Sequence, residues 1–191
     1  MGKLIYSMIT SLDGYAIDAD GGFDFMEVGE EEHDFFGEQL RSVGTFLYGR
    51  RMYETMLFWE TAHLLEHAPP FIVDFARVWQ AADKVVYSTT LQQVASERTR
   101  IERSFDVDAI RRLKAASDRD ITIDGPHIAA HALRAGLIDE YQPVLGPKTV
   151  GGGTPFFPVG IHLDLTLLDE RRLAAGGLWL RYVPAARAHD D

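Results

Sequence analysis

Short runs of branched and aromatic residues recur along the chain, separated by segments with helical spacing. "KLIYSMIT", "TFLYG", "KVVYS", "DITIDG", "EYQPVLG", "LDLTLLD" and "GLWLRYV" each have the β-former density of a strand. In "EEEHDFFGEQLRSV", Phe35, Phe36, Leu40 and Val43 share one helical face, and Glu30 to Glu32 suit the positive end of a helix. "FDVDAIRRLKAAS" offers Asp106 or Asp108 as N-cap before Val107, Ile110 and Leu113. "PHIAAHALRAG" opens on Pro126 and closes on Gly136. Strand and helix alternate through Gly136, which predicts a parallel sheet covered on both faces. In the last third, Leu163 to Leu168 and Leu178 to Val183 flank "DERRLAAGG" as a hairpin connection, predicting antiparallel edge strands. "HLLEHAPP" and "LGPKTVGGGTPFFP" are too short and too apolar to separate two cores. Residues 1–184 are expected to form one domain, and 185–191 a frayed tail.

With 191 residues, 46% of them hydrophobic and 25% charged, the chain can bury an ordinary globular core. A net charge of -10 argues against duplex nucleic acid or an anionic membrane as partner, because both are bound through clustered Lys and Arg. With 0 cysteines there is no disulfide framework, thiolate zinc site or thiol nucleophile. The apolar start is too short to span a bilayer and lacks a small-residue cleavage pattern, so the cytoplasm is the expected location.

Against that acidity, "TFLYGRRMYETM" is out of place: Gly49 ends a strand, and Arg50 and Arg51 open the next helix. Each cation there costs on the order of 0.3–1 kcal/mol unless an anion faces it. Two other strand ends complement the pair. "KVVYSTT" ends on the hydroxyls of Ser88, Thr89 and Thr90, and "ITIDGPH" runs through Gly125 into a helix. In an open parallel sheet, ligands lie beyond the carboxyl ends of the strands, and a phosphate ester uses guanidinium forks, hydroxyls and bare amides together. Taken singly, each feature has a plainer reading: a solvated arginine paired with Glu54, a turn hydroxyl, a Pro at the first helical position.

These segments resemble the dihydrofolate reductase-like superfamily, in its branch related to the reductase domain of bacterial riboflavin biosynthesis (the RibD C-terminal domain). "SMITSLDGYAI" is similar to the family's first strand and turn, "LYGRRMYETM" to its basic segment, and "KVVYSTTL" to the strand meeting the adenosine 2'-phosphate. "IDGPHIAAHALRAGLIDEYQPVLGP" with "GGGTPFFP" is similar to its pyrophosphate turn, helix and closing stretch. The resemblance implies a three-layer α/β/α fold with a mainly parallel central sheet and antiparallel C-terminal strands. It also implies an oxidoreductase that transfers a hydride from NADPH to a small planar heterocycle, pteridine- or pyrimidine-like, or to a carbonyl compound. Gly49, Arg50, Arg51, Ser88 and Thr89 would meet the 2'-phosphate end; Gly125, Pro126, His127 and Ile128 would offer backbone to the pyrophosphate; Ile9, Thr10 and Ala16 would flank the nicotinamide. Two positions depart from the family pattern. Asp124 replaces the first Gly of a usual pair, and Met52 stands where a Thr is usual.

Hydride transfer needs a proton donor as well. Glu32 shares the inward face of Phe35 and Phe36, and Asp13 sits in the Ser-Leu-Asp-Gly turn; these are the two candidate acids, each with a structural alternative as helix-dipole partner or turn residue. A flavin or deazaflavin cofactor and a non-catalytic nucleotide-binding module are the alternatives on the same fold. "HLLEH", His63 to His67, fits an inverted zincin pattern but adjoins Pro69-Pro70, so no metal is expected. Trp59, Trp79 and Trp179 are expected in core or interface. The apolar run Leu178 to Val183, with Phe156 and Phe157 in a Pro-flanked loop, predicts a twofold homodimer, as the resemblance also implies.

Overall fold

The computed structural model describes residues 1–186. The expected tail falls outside the described residues from 187 on, while the Ala185 N–H donates to the Asp164 carbonyl at 2.8 Å. In chain order the elements are β1 (Leu4–Thr10), β2 (Tyr15–Asp18), α1 (Glu30–Leu40), β3 (Val43–Gly49), α2 (Arg50–Met56), α3 (Phe58–Thr61), a 3-10 turn (Ala62–Leu64), α4 (Pro70–Ala81), β4 (Asp83–Tyr87) and β5 (Thr99–Glu102). There follow α5 (Val107–Ala116), β6 (Asp120–Asp124), α6 (Pro126–Arg134), β7 (Glu140–Leu145), β8 (Gly153–Pro155), β9 (Leu165–Arg172) and β10 (Leu178–Pro184).

Eight strands form one sheet in the order β5-β4-β3-β6-β1-β7-β10-β9. The pairs from β5 through β7 are parallel, and β10 is antiparallel to both β7 and β9. The inner parallel strands β4, β3, β6, β1 and β7 are buried on both faces, which is why each reads as a continuous apolar run, whereas β5 is a short, partly exposed edge. Leu47 and Val85 pack with Ile110 of α5 and Ile128 of α6, whereas Phe46, Tyr48 and Val86 pack on the opposite face with Trp79 of α4. Asp106 proves to be the N-cap of α5, its carboxylate accepting from the N–H groups of Asp108 and Ala109.

Four sequence expectations change. The Pro pair opens a helix: Pro70 takes the first position of α4, where its missing N–H costs nothing, and Phe75, Ala76 and Trp79 face inward. That helix ends on a buried cation. Lys84 Nζ donates to the Trp79 carbonyl at 3.3 Å and lies 4.2 Å from the Trp79 ring, and burial pushes its pKa down. Val43 belongs to β3 and not to α1, which stops at Leu40. The "DERR" stretch lies within β9, and the reversal is confined to the turn in which the Leu173 N–H donates to Gly177 O at 2.9 Å. Four consecutive charges fit there because β9 is the sheet edge and is exposed on both faces. Finally, Phe156 is not a surface aromatic. It stacks on Tyr6 at 4.0 Å and is 2% exposed, while Phe157 remains 37% exposed. The β2–β8 ribbon and β5, only three or four residues each, carry too little pattern to have been predicted.

Gly146 positions the segment 19–29. A Cβ there would run into the Phe25 backbone, so only glycine lets β7 end against this loop, whose Phe25 and Met26 are buried. Among the described residues no helix is long and apolar enough to cross a membrane.

Candidate active site

A cleft of about 1020 Å³ opens at the carboxyl ends of β1, β3, β4 and β6. All three strand ends singled out in the sequence meet in it: Gly49, Arg50 and Arg51 from the β3–α2 junction, Ser88 and Thr89 after β4, and Gly125, Pro126, His127 and Ile128 at the β6–α6 junction. Ile9 of β1 joins them. The convergence follows from register, since β3 is the shared neighbour of β4 and β6 and all three run the same way.

At the β4 end, Arg50 Nε donates to Glu54 at 2.7 Å and its Nη1 to the Thr90 hydroxyl at 3.0 Å, so the guanidinium spans from α2 to the β4 turn. The Ser88 hydroxyl accepts from the N–H groups of Thr90 and Leu91, which makes it a turn former as well as a wall of the cleft. A third arginine escaped the sequence reading. Arg103, just beyond β5, donates to the carbonyls of Ser88 at 2.9 Å and Leu91 at 2.6 Å and lines the same cleft. It lies 15 residues from Ser88, directly after a strand too short to read from periodicity. At the β6 end, Gly125 has φ +117, a conformation that only glycine adopts readily, and it turns the chain so that the first N–H groups of α6 face the cleft.

Thr10 and Ala16 do not line the cleft; both are fully buried behind it. The two candidate acids are also elsewhere. Glu32 is 3% exposed: one carboxylate oxygen accepts from the Ala175 N–H at 2.8 Å and the other from the Gly29 N–H at 3.1 Å. It thus closes the N-terminus of α1 and ties it to the β9–β10 turn. Burial pushes its pKa up, but these N–H donors outweigh burial and hold it below the ordinary Glu value. Asp13 accepts from Val150 and Gly151 N–H groups, the latter at 2.8 Å, and so fastens the Gly-rich loop; with Ser11, they hold its pKa down.

A smaller cavity of about 270 Å³ lies between the sheet and α1 and shares Ser7, Met8, Ile9 and Met52 with the cleft wall. Polar side chains of the central strands face it, among them Ser7, Thr122, Asp124, Glu140 and Gln142. Asp124 lines this cavity and not the cleft. Thr122 donates to it at 2.8 Å, yet burial pushes its pKa up to about 7. Its chemistry was missed because in the sequence it marked only a departure beside Gly125.

The remaining walls of the cleft are mainly apolar and aromatic. His33 and Phe36 of α1, Trp59 of α3 and Phe75 of α4 face it, with Val28 and Met56. His33 lies 5.6 Å from Trp59 and 5.8 Å from Phe75, both edge to face, and Trp59 lies 4.3 Å from Phe75.

The family model described as RibD C-terminal domain matches residues 2–177. The chain belongs to this family. Its sheet is that of a dihydrofolate reductase-like fold. A structure from Shewanella sp. PV-4, whose name refers to riboflavin biosynthesis, superimposes with a TM-score of 0.73 at 21% identity, covering 96% of this chain and 99% of that one. A pyrimidine reductase-like protein from Corynebacterium diphtheriae gives 0.66 at 15% identity, covering 97% and 92%. In sequence, Bacillus subtilis (strain 168) YyaP, an uncharacterized protein, is 21% identical over 182 residues, 94% of each chain. Membership in the family places a reductase fold around the cleft.

"HLLEH" does not form the continuous helix that a zincin needs. The 3-10 turn ends at Leu64, His67 has φ 60, and His63 Nδ1 is bonded to Gln80 at 2.9 Å. Among the described residues no group of three or more His, Asp or Glu is arranged to hold a metal.

Proposed function

We propose that the protein is an NADPH-dependent reductase of a small planar compound. The observation that carries this reading is the placement of Arg50 and Arg103 on the Ser88–Thr90 turn, with Arg51 beside Arg50 in the same cleft, whose other strand end presents the bare amides of α6. Two phosphate-binding devices within one cleft fit the two phosphate groups of NADPH, its 2'-phosphate and its pyrophosphate. Asp124 lines the cavity and not the cleft, so it would not set a carboxylate against a pyrophosphate held at Gly125.

When bound, NADPH supplies a hydride. The chain would do the rest: Arg50, Arg51, Arg103 and the first amides of α6 would hold the phosphates, Ile9 would line the cleft beside the reacting ring, and Asp124 would donate the proton across the Ser7–Ile9 and Met52 wall that its cavity shares with the cleft. Asp124 is the acid of this reading, since Glu32 and Asp13 are committed to backbone N–H groups and a carboxyl titrating at about 7 still carries a proton near neutrality. A fluorescence titration tests the cofactor. NADPH should bind at least about tenfold tighter than NADH, as expected of charge-assisted contacts to a 2'-phosphate; equal affinities would remove it. The second reading, a nucleotide-binding module without turnover, draws on the structural use of Glu32 and Asp13, and NADPH oxidation with a planar acceptor excludes it.

For assembly we propose a twofold homodimer through the β9–β10 edge, where Leu167, Leu168 and Leu178 are 43%, 51% and 38% exposed. Phe157 remains a candidate contact, whereas Phe156 is claimed by Tyr6. Light scattering should return twice the 21.4 kDa chain mass; a monomer would end the proposal.

A further inference from the structure

The cleft is divided by charge. Two of its guanidiniums are tied to the β4 end, where Arg50 reaches Thr90 and Arg103 holds the Ser88 and Leu91 carbonyls, and Arg51 lines the cleft from the first turn of α2. The other half is walled by His33, Phe36, Trp59, Phe75, Val28 and Met56, with no lysine or arginine in that wall among the described residues. A phosphate ester buried there would lose its hydration and gain no charge-assisted donor, a loss that neutral contacts do not offset. The inner cavity offers no net positive charge either. Among the described residues, the carboxyls of Asp120, Asp124 and Glu140 line it with the cations Lys3 and Arg181, and Lys3 is paired with Glu140.

What the aromatic half does offer is flat surface and one polar edge. Trp59 and Phe75 lie 4.3 Å apart, and His33 stands against both. His33 Nδ1 lies 2.8 Å from the Gly29 carbonyl and donates to it, so that in the neutral ring Nε2 is an acceptor, without a partner among the described residues. We infer that the substrate is an uncharged, unphosphorylated planar compound with an N–H or O–H donor, bound among Trp59, Phe75 and Phe36 and oriented by His33 Nε2. The inference rests on the reductase reading, in which the cofactor fills the arginine half.

Riboflavin and its 5'-phosphate, which differ only in the phosphate, test it when titrated calorimetrically into protein saturated with NADP+. Riboflavin should bind at least about tenfold tighter, because the phosphate meets no cation. Trp59→Ala should weaken riboflavin about tenfold or more. Thr55→Lys, at an exposed position on the cleft wall, should bring the two ligands to within about twofold of each other by supplying the missing charge. Equal or tighter binding of the phosphate by the native protein overturns the inference, as does an unchanged riboflavin affinity in Trp59→Ala or an unchanged ratio in Thr55→Lys. NADP+ binding is measured first in its own titration, so a failure of the reductase reading is seen separately from a failure of this one.

Discussion

The two halves of the cleft are built by different means. The arginine half is made of chain reversals: a strand ends, one or two residues turn, a helix begins, and the polar groups at each junction point into the cleft because parallel strands end at the same level. The aromatic half is made of helix faces, with α1, α3 and α4 each contributing one or two rings that meet only after the helices have packed. In this molecule charge recognition is assigned to secondary-structure ends and shape recognition to tertiary packing, so changes in one half should leave the other half's ligand nearly untouched.

The largest effect is expected in the inner cavity that shares a wall with the cleft. Asp124 has its folded pKa raised from 3.8 to about 7. Its contribution to stability is therefore full below the unfolded value and is lost as pH rises through about 7. Between pH 5 and 8 the native protein should lose on the order of 3 kcal/mol relative to Asp124→Asn, read from urea unfolding at the two pH values. A pH-independent difference would mean that Asp124 is already ionised. The same substitution should slow hydride transfer while leaving NADPH affinity nearly unchanged, and the native rate should fall above pH 7 as the proton is lost.

Next in size, Arg50→Ala or Arg103→Ala should each remove about 1–3 kcal/mol of NADPH binding with little change for NADH or riboflavin. If riboflavin weakens equally, the division into halves fails. Smaller still, Glu32→Gln should cost about 1–2 kcal/mol of stability, because the amide keeps one acceptor and loses the charge that faces two N–H groups. With its folded pKa lowered, that contribution is present above the ordinary Glu value and fades as pH falls through the folded one. Single-turnover kinetics should show hydride transfer unchanged, and a large fall in rate would restore Glu32 as the acid. The smallest change is expected for Asp13→Asn, which loosens an exposed loop and should be visible as faster amide exchange at Val150 and Gly151.

Much of this was legible in the chain itself. The runs from "KLIYSMIT" to "EYQPVLG" announced strands buried on both faces, and Gly49, Ser88 and Gly125 marked the junctions that meet in the cleft. The sequence determined them because strand burial and strand-end chemistry are local, written in consecutive residues whose spacing the backbone fixes. The roles of Glu32 and Asp13 were not legible. The same carboxylate serves as catalyst or clamp depending on which N–H groups arrive beside it, and those came from Ala175 and Gly151, more than 130 residues away. Arg103, Asp124 and the ring cluster around His33 belong to the same class. Their neighbours come from other elements, and burial, which set both the direction of the Asp124 pKa and the neutrality of the aromatic half, is a property of packing that no short stretch of residues contains.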